Sequence, residues 1–166
     1  MIIKLRIKSW QASLALTRLT TVVGVNSNLP NGNHILMWDF DTVGIIEVRC
    51  ALKRTQERFN LPAIHILNTG QTHHYIAYCF VDMLWIQTVE IIASTDYIDQ
   101  NYFRLGVIRK HWTLRISNKD GKKIRKVCIL LSDVKPTLTS DALNSFTEYD
   151  TMKHGFPKKV INIAKR

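Results

Sequence analysis

No apolar run in the chain approaches the roughly 18 residues that a membrane-crossing helix needs, so neither a span nor a membrane partner is expected. The opening residues, MIIKLRIKSW, mix Lys and Arg with apolar residues. They lack the separate hydrophobic region and small-residue cleavage site of a secretory signal. Cysteine is scarce: Cys50, Cys79 and Cys128 are scattered, odd in number and in no metal-ligand or disulfide spacing. That usage fits a reducing, cytoplasmic setting and three buried bystanders. No repeat or low-complexity linker interrupts the chain, and 166 residues suit one domain with its own core. We expect that domain over residues 1–150, with a basic, loosely held tail over 151–166.

Acidic residues are scarce only locally. Residues 1–100 carry eight Lys/Arg and eight Asp/Glu, whereas residues 101–166 carry 15 and five. The whole net charge of +10 therefore lies in the last two-fifths. Such asymmetry points to a polyanionic partner, nucleic acid before membrane. A chain that is 46% hydrophobic and 22% charged is also excluded from the disordered class.

Periodicity supplies an outline. Residues 34–41, HILMWDFD, read as a strand after the loop NSNLPNGNH (26–34). Residues 42–62 follow as a helix, with Ile45, Val48, Leu52, Thr55 and Phe59 recurring at three and four and Pro62 ending it. Strands at 63–67 and 73–80 flank a turn, and 82–93 reads as a second helix with Asp82 as its N-cap. HWTLRIS (111–117) and IRKVCILL (124–131) read as strands around a turn at 118–122. Residues 140–150 suggest a short helix, 1–10 an edge strand and 11–23 a helix. The expected class is α+β (α/β in the broad sense), a mainly antiparallel sheet with helices packed on one face.

Three features could carry chemistry. Asp39 and Asp41 end an apolar strand with one residue between them, so both carboxylates leave the same face. Like charges that close repel unless a cation lies between them, and paired hard oxygens suit Mg²⁺ or Mn²⁺. The bland alternative is that they cap the following helix near its positive end. In the turn Thr69-Gly70-Gln71-Thr72-His73-His74, Thr and His can donate to phosphate oxygens, and the adjacent histidines face opposite ways. Asp96 and Asp99 are candidate third carboxylates; the Arg115 guanidinium could hold a triphosphate, and Lys119, Lys122 and Lys123 cluster in the following turn, the bland alternative being a solvated basic hairpin.

Taken in order, WDFD, a helix, IHILNTGQTHHYIAY, a helix and an acid ahead of LRISNK resemble the archaeo-eukaryotic primase superfamily, and within it the plasmid and phage primase-polymerases. The resemblance covers about residues 34–130. It matches Asp39 and Asp41 to the first motif, Thr72 and His74 to the second, and Asp96 to the third, with Asp99 in reserve. It implies an RRM-like catalytic core and a template-dependent nucleotidyltransferase, a DNA primase or polymerase of a mobile element or phage. Asp39, Asp41 and Asp96 would hold two Mg²⁺ or Mn²⁺ ions, while Thr72, His74, Arg115 and Lys119 bind the nucleotide. Implied partners are nucleoside triphosphates, a single-stranded or primed DNA template, and a helicase or other replication proteins. Trp112 or Tyr75 would stack a base, or belong to the core. The rivals are a non-catalytic basic nucleic-acid-binding module and a rolling-circle-type initiator. The initiator wants two His separated by one residue, where this chain has the adjacent pair His73-His74.

Overall fold

A computed structural model describes the backbone of residues 2–7, 10–15, 19–119, 121–138, 146–152 and 160–164, with side chains over 21–119 and 121–138. The fold is α+β with mainly antiparallel sheets, as the periodicity led us to expect, and the described residues form three helices. The strands are β1 (Ile2–Ile7), β2 (Trp10–Ala15), β3 (Leu19–Asn26), β4 (His34–Asp41), β5 (Ile64–Asn68) and β6 (His74–Met83). They continue with β7 (Thr113–Arg115), β8 (Arg125–Leu130), β9 (Phe146–Met152) and β10 (Val160–Ala164). The helices are α1 (Ile45–Arg58), α2 (Trp85–Ala93) and α3 (Gln100–Arg109).

The central sheet is antiparallel in the order β4-β6-β5-β8, a second runs β7-β3-β9, and a third runs β10-β1-β2 with β1 and β10 parallel. β4 explains the layering. Leu36, Trp38 and Phe40 point to the helix side and join Val48 and Leu52 of α1 and Ile91 and Ile92 of α2. Ile35 and Met37 point the other way, against Val25 of β3 and Leu114 of β7. Because both faces are covered, residues 34–38 are buried without alternation, and each large apolar side chain so enclosed contributes roughly 1.5–3 kcal/mol.

Polar bonds stitch the helix side together. Trp38 Nε1 donates to Thr95 Oγ1 at 3.0 Å, and Thr95 in turn meets Thr55 Oγ1 of α1 at 3.2 Å. Gly106 of α3 lies flat against the Trp112 indole, leaving no room for a side chain. Trp112 is therefore core, tilted against Trp85 and stacked on Phe103, and Tyr75 packs at the edge of the same cluster. Neither is the open stacking platform that base recognition would use.

Several expectations fail for physical reasons. Residues 11–23 fall in two strands, with 16–18 outside the described residues; the β-branched run Thr20-Thr21-Val22-Val23 favours extended backbone, and β3 satisfies it by pairing on both sides. β1 lies inside its sheet, not at an edge. In place of a helix over 140–150, β9 begins at Phe146, and 139–145 lie outside the described residues. The tail was expected to be loosely held, yet Val160–Ala164 pairs with β1, its alternating VINIA suiting a strand; 153–159 lie outside the described residues. The strands around the 118–122 turn separate, β7 pairing with β3 and β8 with β5. Asp82 lies in β6 and accepts from Asn31 Nδ2, while Leu84 is the N-cap of α2. Cys79 is buried and Cys128 partly so, but Cys50 is exposed on α1.

Candidate functional site

On the second-sheet side of β4 the covering layer ends before the strand does. Asp39 is partly buried and Asp41 is open, and both line a cleft of about 300 Å³. The cation side of this cleft comes from elsewhere: His74 from β6, Arg115 from β7, and Lys119 and Lys122 from the following turn. Thr69 and Gln71 complete the wall between β5 and β6. The acids do not cap α1, whose N-cap is Gly44 without any side-chain bond.

Strand register sets the first contact. β4 and β6 pair Asp41 directly opposite His74, and His74 Nδ1 lies 2.6 Å from Asp41 Oδ1. His73 sits outside the strand at φ 59, so the two histidines do not form a pair. Asn68 shapes the turn between β5 and β6. Its Nδ2 donates to the carbonyls of Gln71 and His74, and its Oδ1 accepts from Gly70 N at 2.8 Å.

Gly70 performs a second task. At φ +84 it lies so near the basic turn that a Cβ would come within 2.8 Å of Lys123 O and 2.9 Å of Lys122 Cβ. The backbones of Lys119 and Lys122 close that turn on each other, with Gly121 at φ +76. Arg115 is fixed just as firmly. Its guanidinium donates to Ser117 O at 2.5 Å and to Thr69 O at 3.1 Å, which sets the plane of the fork. Ser117 is itself held to β3 through Val23.

Electrostatics follows from this crowding. Burial, and then the neighbouring Asp41 and Asp99 carboxylates, push the Asp39 carboxyl up to about 7, against the opposing pull of the Phe40 backbone amide and Arg115. A carboxyl in that condition gains most from a nearby cation. Two aspartates fit Mg²⁺ or Mn²⁺ held by one or two carboxylates, with phosphate oxygens and water filling the other positions. Among the described residues no three His, Cys, Asp or Glu side chains converge as a metal cluster.

Asp96, which the resemblance matched to the third motif, does not line the cleft. Thr95 turns inward to Trp38 on the helix side, so Asp96 turns outward and pairs with Arg54 of α1 at 2.6 Å, on the wrong side of the sheet. Asp99 lies nearer. Its backbone N donates to Asp39 O at 2.9 Å along the free edge of β4, while its carboxylate caps α3 by accepting from Tyr102 N. Thr72 is exposed and lines an adjoining groove instead of the cleft.

Thr69, Gln71 and Lys122 are cleft residues that the motif reading missed, although all three belong to segments it had singled out. Helix α3 was missed altogether; Asp99 as N-cap, with Tyr102, Phe103 and Gly106 at helical spacing, was the available signal. No protein-family model, no curated protein and no solved structure matches the chain.

Proposed function

We propose that the cleft performs metal-dependent nucleotidyl transfer, as the resemblance to primase-polymerases implies: a 3′-hydroxyl attacks the α-phosphorus of a nucleoside triphosphate, and pyrophosphate leaves. One observation carries this reading. Two carboxylates, a histidine, an arginine and two lysines drawn from β4, β6, β7 and a turn line a single cleft. Asp39 and Asp41 would hold Mg²⁺ or Mn²⁺, which supply charge neutralisation at the reacting phosphate and lower the pKa of the attacking hydroxyl. His74 keeps the Asp41 carboxylate in one orientation. Arg115, its plane set by two carbonyls, offers the triphosphate a fork, and Lys119 and Lys122 add charge beside it.

The experiment is nucleotide incorporation on primed and unprimed single-stranded templates, with Mn²⁺ or Mg²⁺ supplied or chelated. Incorporation should require metal and fall to background in the Asp39→Ala, Asp41→Ala double variant, while the variant stays folded and binds DNA. Wild-type activity in that variant would overturn the assignment. A second reading has one observation in its favour: the Asp99 carboxylate is engaged in capping α3. Under that reading the chain is a basic nucleic-acid-binding module with an inert acid pair, and binding is indifferent to metal.

A further inference from the structure

A second groove, of about 580 Å³, adjoins the cleft. It is lined by Gly70, Thr72, Lys123 and Arg125 among others, and it shares Gln71 and Lys122 with the cleft. Its described lining contains no acid and no apolar side chain. The first absence leaves the described wall without a carboxylate to repel phosphate or hold a cation. The second removes any platform on which a base could stack. Lys122, Lys123 and Arg125 have no ion-pair partner among the described residues. What such a surface recognises is a run of phosphates, without regard to sequence.

We infer that this groove is the track for the backbone of a single-stranded nucleic acid, delivered across Gln71 and Lys122 into the cleft. The direction of delivery rests on the nucleotidyl-transfer reading; the polyanion chemistry of the groove does not. Gly70 positions this surface, because it alone lets the β5–β6 turn press against Lys122 and Lys123.

The test is anisotropy of a labelled oligothymidylate of about 20 nucleotides, titrated against salt, with the full chain and two charge-reversal variants. Lys123→Glu with Arg125→Glu removes groove cations, whereas Arg49→Glu with Arg104→Glu makes the same charge change on exposed positions of α1 and α3. The groove variant should bind about tenfold more weakly or worse. The slope of log affinity against log salt should become shallower by about 1.4, from about 0.7 per lost single-strand phosphate contact. The helix variant should keep the wild-type slope, and an oligoadenylate should behave as the oligothymidylate does. An unchanged slope in the groove variant, or equal losses in both variants, would overturn the inference. Metal-dependent incorporation is read on the same proteins. Absent wild-type incorporation together with a shallower groove-variant slope would leave the groove standing and sink only the nucleotidyl-transfer reading.

Discussion

The two faces of β4 are made by one eight-residue segment and have opposite fates. On the helix face, Leu36, Trp38 and Phe40 are sealed to the end of the strand by α1, α2 and α3. On the other face, Ile35 and Met37 are sealed by β3 and β7, but Asp39 and Asp41 emerge where that cover stops. The contrast shows how a period of two separates stability from chemistry within a few residues. The apolar face can hold the strand rigid while the acidic face carries charge that would otherwise weaken the fold.

That division predicts separable defects. Leu52→Ala, on the sealed side, should destabilise the protein by about 2–5 kcal/mol in denaturant titration. Activity per folded molecule should be unchanged. Asp39→Asn should do the reverse. The Asp39 carboxyl, at about 7 in the folded chain against 3.8 unprotected, makes the folded state bind the extra proton between those values. Stability of the chelated wild type should therefore fall as pH rises from about 4 to about 7, by about 1–3 kcal/mol after allowing for partial solvent access. Asp39→Asn should flatten that slope and melt higher than wild type at neutral pH, while losing incorporation. A slope equally steep in the variant would locate its cause elsewhere.

A smaller effect is expected at the cation side. Arg115→Lys keeps the charge but loses the fork held by Thr69 and Ser117. The nucleotide KM should rise about tenfold, with melting temperature little changed. The smallest pair concerns the two candidate third acids. Asp99→Ala removes the α3 cap at a cost of about 1 kcal/mol and disturbs incorporation through the backbone of β4. Asp96→Asn breaks only an exposed pair, so urea midpoints and incorporation should move little, within about 0.5 kcal/mol. An Asp96→Asn variant without activity would restore the original motif match.

Much of the central sheet could be read directly. HILMWDFD, the helix at Ile45–Arg58 and the β5–β6 hairpin obey local rules, and their neighbours do not contradict them. Asp39, Asp41 and His74 share a cleft because strand alternation and the β4–β6 register follow from the same pattern, whereas Arg115 reaches it through the pairing of β7 with β3. What could not be read depends on partners distant in sequence. β2 looks helical through QASLA and becomes a strand by pairing with β1, and β3 is held extended between β7 and β9. The side on which Asp96 emerges is decided by Thr95 finding Trp38, 57 residues away. A spacing rule places an acid near a site; it does not say which way a loop residue faces.

The fit of Gly106 against Trp112 has a mechanical consequence. α3 begins at Gln100, just after the Asp99 that is bonded to the edge of β4, and Trp112 immediately precedes the strand that carries Arg115. A bare backbone clamped on an indole leaves no slack between those two parts. The anionic and cationic walls are thereby geared together, and a bulkier residue wedged at position 106 would throw both out of alignment at once.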